Sequence, residues 1–418
     1  MKINNSFLLL FSILNFVSFL IGFYYLEEHG ASLLDANDHT YPVINGLKEN
    51  FVDNIINYGK FGENSYPLHH IIFSFINPYE TGSTMFRIIS CLWSIIIIIV
   101  FFKTLKNKLN LNLIQSFFIT SIIFLSPYFR TSAYWGMTEN TGIIFLIISI
   151  YFFNLYENKN SNKSLHLFFV CFFSALSLYS RVQNIFICLF FFLYFFSEKN
   201  SFKKKFSIIS YYLILSLPGL LLIFLWGGLL DEQYPGEFYS LVNFNTFPRT
   251  FLVILSLVGF YSIPFIISFT KNFKNLLIKN YKFYFVTLIV LFVFFSVFGI
   301  DILSLSEDGQ TSYGQGFVSR ICYQLTGFQQ TYLIFSALGF LVIYYFFLIS
   351  KKNKIIILSL LIIFSLRVHF FTEYIDPLLF ILIFTFFDTN FNLELNRLKN
   401  IIVFQVFFSS ILLGAILV

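Results

Sequence analysis

Two carboxylates lie close together in the segment Leu33-Leu34-Asp35-Ala36-Asn37-Asp38-His39, shortly after the first long apolar stretch. Carboxylates are common general bases, because they can accept the proton of an attacking hydroxyl. Only 11% of the residues are charged, against roughly 25% in soluble domains. Asp35 and Asp38 are therefore candidates for catalysis, with His39 beside them. The alternative is that they cap the helix that follows.

Hydrophobicity predicts the elements that must position these carboxylates. The chain has 418 residues, of which 57% are hydrophobic and 22% aromatic. Many apolar runs reach the roughly 20 residues that a helix needs to cross a bilayer. The run 95–102 lacks the alternation of a barrel strand. We expect an all-α, polytopic transmembrane helical bundle of about 11–13 spans, a single integral membrane domain over residues 1–418 with no separate soluble domain.

The charges indicate how these spans are oriented. Most of the 27 Lys and Arg residues fall on loops that share a side with the N-terminus. By the positive-inside rule that side is cytoplasmic, and the expected location is a bacterial inner membrane. The candidate spans lie near residues 6–25, 84–102, 112–129, 141–156, 165–180, 184–197, 206–229, 250–269, 283–300, 329–349, 355–371, 376–387 and 400–418.

Segment 26–83 then forms the longest outer loop. Its apolar residues between Val43 and Ile56 recur at helical spacing, and Pro42 suits a first helical turn. This pattern predicts an amphipathic helix that lies on the membrane surface or packs against the outer ends of other spans. His69 and His70 follow in the same loop. Adjacent residues do not share a helix face, and a metal site there is an alternative reading.

Arginine is concentrated on the predicted outer side, whereas the inner loops carry mainly lysine. Orientation explains the lysines, but a guanidinium is the better bidentate partner for phosphate. We therefore expect a shared site for an anionic lipid-linked substrate, with snorkelling or internal ion pairs as the alternative. The candidate binding residues are His39, Arg130, Glu139, Arg181, Gln183, Arg320, Arg367, Glu373 and Tyr374.

The acidic segment 35–39 and the turn Tyr66-Pro67-Leu68 before the second span resemble the GT-C glycosyltransferases, polytopic enzymes that use polyprenyl-phosphate sugars. Segments 180–184 (Ser-Arg-Val-Gln-Asn) and 373–377 (Glu-Tyr-Ile-Asp-Pro) are similar to motifs of the dolichyl-phosphate-glucose α-1,2-glucosyltransferase family. That family places Gln directly after Arg, whereas Val182 intervenes here.

The resemblance implies that a sugar moves from a polyprenyl-phosphate donor to a glycan or lipid-linked acceptor on the extracytoplasmic face, with inversion. Asp38 is the first choice as base and Asp35 the second, and the arginines neutralise the leaving phosphate. No cofactor is certain, although a divalent metal such as Mg²⁺ or Mn²⁺ is compatible. Membrane lipids are expected partners. Nucleic acid is not, because the net charge of +6 follows the topology and forms no patch.

Other functions fit the same architecture. A polysaccharide polymerase of the O-antigen or capsule type would also act on lipid-linked repeat units. It would normally carry its chemistry in a large late outer loop, whereas here the first is the longest. A transporter or flippase for lipid-linked sugars would favour repeated halves and polar residues near mid-membrane. A cytosolic nucleotide-sugar enzyme is disfavoured because no Gly-rich phosphate loop follows a strand.

Overall fold

The structure is a computed structural model. It describes residues 5–29, 32–61, 66–109, 111–158, 163–198, 202–228, 247–268, 270–297, 318, 331–365, 372–389 and 398–417. The described part is helical and contains no strand. The chain forms two compact units: an N-terminal unit, Ser12–Phe238, and a C-terminal unit, Met1–Phe11 with Tyr239–Val418. The all-α prediction is confirmed at this level.

The N-terminal unit holds most of the predicted site. Its helices are α1 (Asn5–Tyr24, shared with the other unit), α2 (Ser32–Asp35), a π-helix (Ala36–Thr40), α3 (Tyr41–Glu49), α4 (Phe51–Ile56), α5 (Leu68–Ile76), α6 (Thr84–Leu109), α7 (Leu113–Ser121), α8 (Pro127–Trp135), α9 (Thr138–Glu157), α10 (Lys163–Ser180), α11 (Ile185–Ser197) and α12 (Phe202–Trp226). Short 3₁₀ turns occupy Tyr58–Phe61, Ile122–Leu125 and Val182–Asn184.

The C-terminal unit is built from α13 (Phe247–Tyr261), α14 (Ile263–Ser268), α15 (Thr270–Lys279), α16 (Tyr281–Val297), α17 (Thr331–Ile349), α18 (Lys351–Ser365), a 3₁₀ turn (Thr372–Tyr374), α19 (Leu378–Thr385) and α20 (Leu398–Leu417). Helices α13 and α17 approach very closely where Gly259 faces Gly339. A Cβ on Gly259 would collide with the carbonyl oxygen of Phe335. Small residues permit such contacts between apolar helices.

Among the described residues, five helices are long and apolar enough to cross a membrane: Asn5–Tyr24, Thr84–Leu109, Thr138–Glu157, Lys163–Ser180 and Lys204–Trp226. A sixth crossing results if residues 113–135 form one bent span. Several shorter apolar helices, such as Thr250–Tyr261 and Leu333–Ile349, complete the set. These helices are compatible with a multi-pass membrane protein.

The predicted span 112–129 is broken in the structure. Helix α7 with its 3₁₀ extension ends at Leu125, and α8 continues at an angle of 73°. The break has a local cause, because a residue before proline is biased towards extended backbone. Ser126 is extended, and its hydroxyl accepts a hydrogen bond from the Phe129 amide. Gly136 ends α8 with a φ of +68°, the left-handed geometry that glycine adopts readily.

The predicted amphipathic helix of the first loop is also divided. Helix α3 begins with Pro42 in its first turn, as predicted, but Asn50 interrupts the helix and caps α4 by accepting from the Asp53 amide. Val43, Ile44 and Leu47 are buried in α3. The single continuous helix is therefore wrong, because the Asn50 side chain competes with helical hydrogen bonding and favours a cap.

An apolar patch remains exposed on α4 and α5. Its residues and exposed fractions are Phe51 37%, Val52 67%, Ile56 41%, Phe75 72% and Ile76 41%. The Phe51 and Phe75 rings are 5.7 Å apart. Trp226, the last residue of the candidate span α12, donates its indole N–H to the Ile55 carbonyl at 2.8 Å. The patch is therefore next to the end of the candidate span α12.

We expect this patch to enter the bilayer interface, because exposed aromatic and aliphatic side chains at this depth gain by leaving water. An environment-sensitive fluorophore on Phe75→Cys should shift to the blue in liposomes and be quenched by brominated lipid. The label is placed in a chain whose 4 cysteines are replaced by alanine. Asp53→Cys in α4 is the matched control, and equal emission from both positions would contradict the assignment.

Candidate functional site

Asp38 lies in the π-helix Ala36–Thr40, where the Tyr41 amide donates to the Ala36 carbonyl across a widened turn. Asp35, Asp38 and His39 are exposed, whereas Ala36 and Thr40 are buried. π-Helical turns are rare and occur frequently at functional sites. Asp35 makes no side-chain cap to the π-helix, and α3 receives no side-chain cap from Thr40. The capping role considered from the sequence is thus absent at these helix starts.

Tertiary contacts place the π-helix beside the junction of α8 and α9. The Thr40 hydroxyl donates to the sulfur of Met137 at 3.8 Å. Met137 precedes Thr138, the first residue of α9. The Thr138 hydroxyl in turn accepts a hydrogen bond from Arg181 at 3.2 Å. The loop carrying Asp38 and the start of the segment 181–184 therefore meet at the same junction.

Arg181 and Glu139 form an ion pair there, with Nη2 2.7 Å from Oε1. Both side chains are largely covered, with 15% and 12% exposed. The other carboxylate oxygen of Glu139 accepts from the Ser132 hydroxyl at 3.3 Å. Two residues predicted to bind substrate are thus brought together, and both keep an accessible edge.

Arg130, unlike Arg181, is enclosed by hydrogen-bond acceptors of the protein itself. Its guanidinium donates to both oxygens of Glu27, with Nε 2.7 Å from Oε1. It also donates to the hydroxyl and carbonyl of Ser18 and to the Phe124 carbonyl. These bonds use every N–H that a guanidinium offers, and the Arg130 side chain is 1% exposed. The prediction that Arg130 binds phosphate is therefore not supported, because no donor is left for a ligand.

His29 is a second partner of Glu27, because its Nε2 lies 2.6 Å from Glu27 Oε1. Burial by itself raises the pKa of the Glu27 carboxyl, but the hydrogen bonds and charges of His29 and Arg130 together lower it below its ordinary value. The run Glu27-Glu28-His29, directly after the first span, is the sequence signal for this group, and the sequence reasoning overlooked it.

His69 and His70 are buried on α5. The His69 Nε2–H donates to the Gly136 carbonyl at 2.9 Å, and Nδ1 accepts from the Thr141 hydroxyl at 2.7 Å. Burial lowers the pKa of His69 well below its ordinary value, and the charges of His70 and Arg181 act in the same direction. His70 Nδ1 pairs with the Tyr58 hydroxyl at 2.8 Å. Both imidazoles therefore act as neutral structural groups beneath the site.

Gln183, Glu373 and Tyr374 are the other predicted binding residues within the described part of the chain. Gln183 is buried in the 3₁₀ turn Val182–Asn184. Glu373 and Tyr374 lie in the 3₁₀ turn Thr372–Tyr374 of the C-terminal unit. Arg320 and Arg367 lie outside the described residues. Within the described part of the chain, no group of three or more His, Cys, Asp or Glu side chains is placed to hold a metal ion.

A small, partly open apolar cavity of about 50 Å³ lies within the C-terminal unit. Its walls come from α13, α17, α18 and α19 and from Ile375, and its lining includes Ile254, Phe346, Leu361, Phe364 and Leu379. Such a lining offers no hydrogen bond and suits hydrocarbon. This cavity is a second place where a ligand could bind, and its chemistry differs from that of the polar junction.

Comparison of the chain with protein-family models, with curated proteins and with solved structures found no match.

Removing the charge of Glu27 should lower the folding stability strongly, because Glu27 pairs with the buried Arg130. Glu27→Gln leaves a buried guanidinium without a counter-charge, and breaking such a pair costs about 3–5 kcal/mol. The measurement is thermal or denaturant unfolding in detergent. Asp53→Asn is the control, because its partner Lys60 is 3.8 Å away and both side chains are well exposed, so a change of about 0–1 kcal/mol is expected. Equal losses would contradict the structural importance of Glu27.

The buried histidines should make the folding stability depend on pH. Burial lowers the pKa of His70 to about 3, so between that value and the unfolded value of about 6.5 only the unfolded chain binds the proton. Folding stability should therefore be complete above about pH 6.5 and decline below it, by about 1.4 kcal/mol per pH unit for each such histidine.

The measurement compares unfolding temperatures in detergent at pH 7.5 and pH 5.5. His70→Asn retains a polar group near the position of Nδ1 and should reduce the pH dependence. His39→Asn, at an exposed histidine of the first loop, is the control and should leave it as in the wild type. An unchanged pH dependence in His70→Asn would show that His70 does not remain neutral in the folded state.

Proposed function

We propose that the chain is an integral membrane glycosyltransferase of the GT-C type with about 11–13 spans and a cytoplasmic N-terminus. It moves a sugar from a polyprenyl-phosphate donor to a glycan or lipid-linked acceptor on the extracytoplasmic face, with inversion. A role in the biosynthesis of cell-envelope polysaccharide fits this activity. The resemblance of segments 35–39 and 180–184 to the family supports the proposal.

One observation carries the proposal: an exposed carboxylate-bearing π-helix is anchored beside a partly accessible Arg–Glu pair. Asp38 lies two residues before Thr40, which contacts Met137. Arg181 bonds Thr138 and pairs with Glu139, the next residue of α9. The segment that carries the proposed base and the Arg181–Glu139 pair, far apart in sequence, thus contact the same helix junction. This is the combination that transfer from a phosphate leaving group requires.

In the reaction, Asp38 accepts the proton of the acceptor hydroxyl as that oxygen attacks the anomeric carbon. The bond from the anomeric carbon to the phosphate oxygen breaks, and the lipid phosphate leaves with the electron pair. Arg181 stabilises the charge that develops on the leaving oxygen; losing one such preorganised donor costs roughly 3–4 kcal/mol of transition-state stabilisation. Glu139 orients Arg181 and is close enough to the site to accept from a sugar hydroxyl.

The distribution of charges along single helices supports the proposed orientation. Helix α6 begins beside Arg87 and ends with Lys103, Lys106 and Lys108. Helix α10 begins at Lys163 and ends immediately before Arg181. Arginines and lysines thus occupy opposite ends of the same helices. The positive-inside rule places the lysine ends in the cytoplasm, and the apolar cavity of the C-terminal unit suits the hydrocarbon of a lipid-linked substrate.

The decisive experiment replaces the loop-one carboxylates and measures transfer from labelled polyprenyl-phosphate sugars in membranes. Asp38→Asn should lower the rate by roughly 10²–10⁴-fold, the range that general base catalysis contributes. Asp35→Asn should retain most of the activity, because Asp38 is the assigned base. Asp53→Asn is the matched control, since Asp53 is an exposed carboxylate of the same loop, and it should be fully active.

Expression and membrane insertion of each variant are checked first. Full activity of both Asp38→Asn and Asp35→Asn would remove the base assignment. A wild-type protein that transfers no sugar from any polyprenyl-phosphate donor would overturn the proposed reaction itself.

A further inference from the structure

Arg87, near the start of α6, is a buried arginine without a carboxylate partner in the described part of the chain. The side chain lies between two rings, with its guanidinium carbon 4.5 Å from the ring centroids of both Phe23 and Trp135. Nη2 donates to the Phe23 carbonyl at 2.9 Å and Nε to the Tyr134 carbonyl at 3.3 Å. Nη1 makes no hydrogen bond to any described residue, so part of the donor edge is unused.

The other two arginines of the N-terminal unit each have a carboxylate partner, unlike Arg87. Arg130 is neutralised by Glu27, and Arg181 by Glu139. Arg87 is 4% exposed, yet only neutral groups surround it among the described residues. Aromatic rings attract a cation but carry no net charge, and a buried charge is normally paired. The surroundings of the guanidinium are therefore those of a binding site in which a ligand supplies the negative charge.

A second buried group points to the same place. Tyr41 is 6% exposed, and its hydroxyl has no hydrogen-bond partner in the described structure. Its ring meets the ring of Phe86, the residue before Arg87, edge to face at 5.4 Å. Burial raises the pKa of Tyr41, and the positive charge of Arg87 opposes that rise. A buried hydroxyl without a partner is costly, and a bound acceptor would satisfy it.

We propose that Arg87 and Tyr41 form a phosphate-binding site, in which the unused N–H groups of Arg87 and the O–H of Tyr41 donate to phosphate oxygens. Arginine suits phosphate because its donors form a fixed fork. Phe23 and Trp135 lie against the guanidinium, and the anion would bind to the N–H groups that remain unused. Tyr41 directly follows the π-helix that carries Asp38, and the bound phosphate is therefore on the same loop as the proposed base.

The inference rests on the proposed function only for the choice of a polyprenyl phosphate as the ligand. Phosphate binding is measured without any transfer reaction, so a failure of this site and a failure of the glycosyltransferase proposal can be told apart. The same chemistry would also hold inorganic phosphate, and the probes distinguish the two sources.

The test follows the unfolding temperature of the purified full-length chain in detergent at constant ionic strength. The probes are inorganic phosphate, geranyl phosphate and uncharged geraniol. Both phosphates should raise the unfolding temperature, because a ligand that binds only the folded state stabilises it. Geraniol should not. A response to geranyl phosphate at lower concentration than to inorganic phosphate identifies a lipid phosphate as the ligand; equal concentrations identify a site for phosphate alone.

Tyr41→Phe is the sharpest variant. It removes a hydroxyl without a partner, so the unfolding temperature without phosphate should stay the same or rise, whereas phosphate affinity should fall roughly tenfold, the effect of one charge-assisted hydrogen bond. Tyr79→Phe makes the same change at a tyrosine that is 42% exposed and should alter neither. Arg87→Gln should abolish the response.

If the wild type responds to neither phosphate, or if Tyr41→Phe responds as the wild type does, the site is wrong and Arg87 serves only to join Phe23 and Tyr134. If Arg87→Gln fails to fold, the comparison of Tyr41→Phe with Tyr79→Phe still shows whether Tyr41 takes part in phosphate binding.

Discussion

The ion pair between Glu27 and Arg130 is the contact on which the rest of the N-terminal unit depends. It joins the end of α1 to α8 across 103 positions of sequence. The Tyr134 hydroxyl donates to the Phe19 carbonyl at 2.6 Å, and the Trp135 indole N–H donates to the Glu27 carbonyl at 3.2 Å, so α8 is held along its length. Because α8 is fixed, Gly136 and Met137 are fixed as well.

The geometry of the site follows from that arrangement. Gly136 presents its carbonyl to His69, and Met137 receives Thr40 from the π-helix. The first turn of α9 then presents Thr138 and Glu139 to Arg181. The neutral imidazole of His69 suits this position, since a second cation beside Arg181 would be costly. Buried structural groups thus support the partly accessible Arg181–Glu139 pair and the π-helix that carries the exposed Asp38.

The arginines of this unit show how the same residue type takes different roles. Arg130 uses all its donors inside the protein, Arg181 keeps an accessible edge beside Glu139, and Arg87 lies between rings with unused donors. Their sequence contexts are alike, since each lies near an end of one of the predicted spans 84–102, 112–129 and 165–180. The difference arises from what distant segments supply: a carboxylate for Arg130 and Arg181, and only rings and carbonyls for Arg87.

The sequence by itself determined the helical character, the position of the main apolar helices and the helix start at Pro42. These features depend on local hydrophobicity and backbone preference, which neighbouring residues fix. It also separated lysine ends from arginine ends and singled out Asp35 and Asp38, which the structure leaves exposed. Only the tertiary structure decided that Glu27 pairs with Arg130, that 3₁₀ and α-helical segments meet at 73° after Leu125, and that Arg87 has no acidic partner among the described residues. Partner choice depends on how helices far apart in sequence pack, and no local pattern records which buried charge meets which.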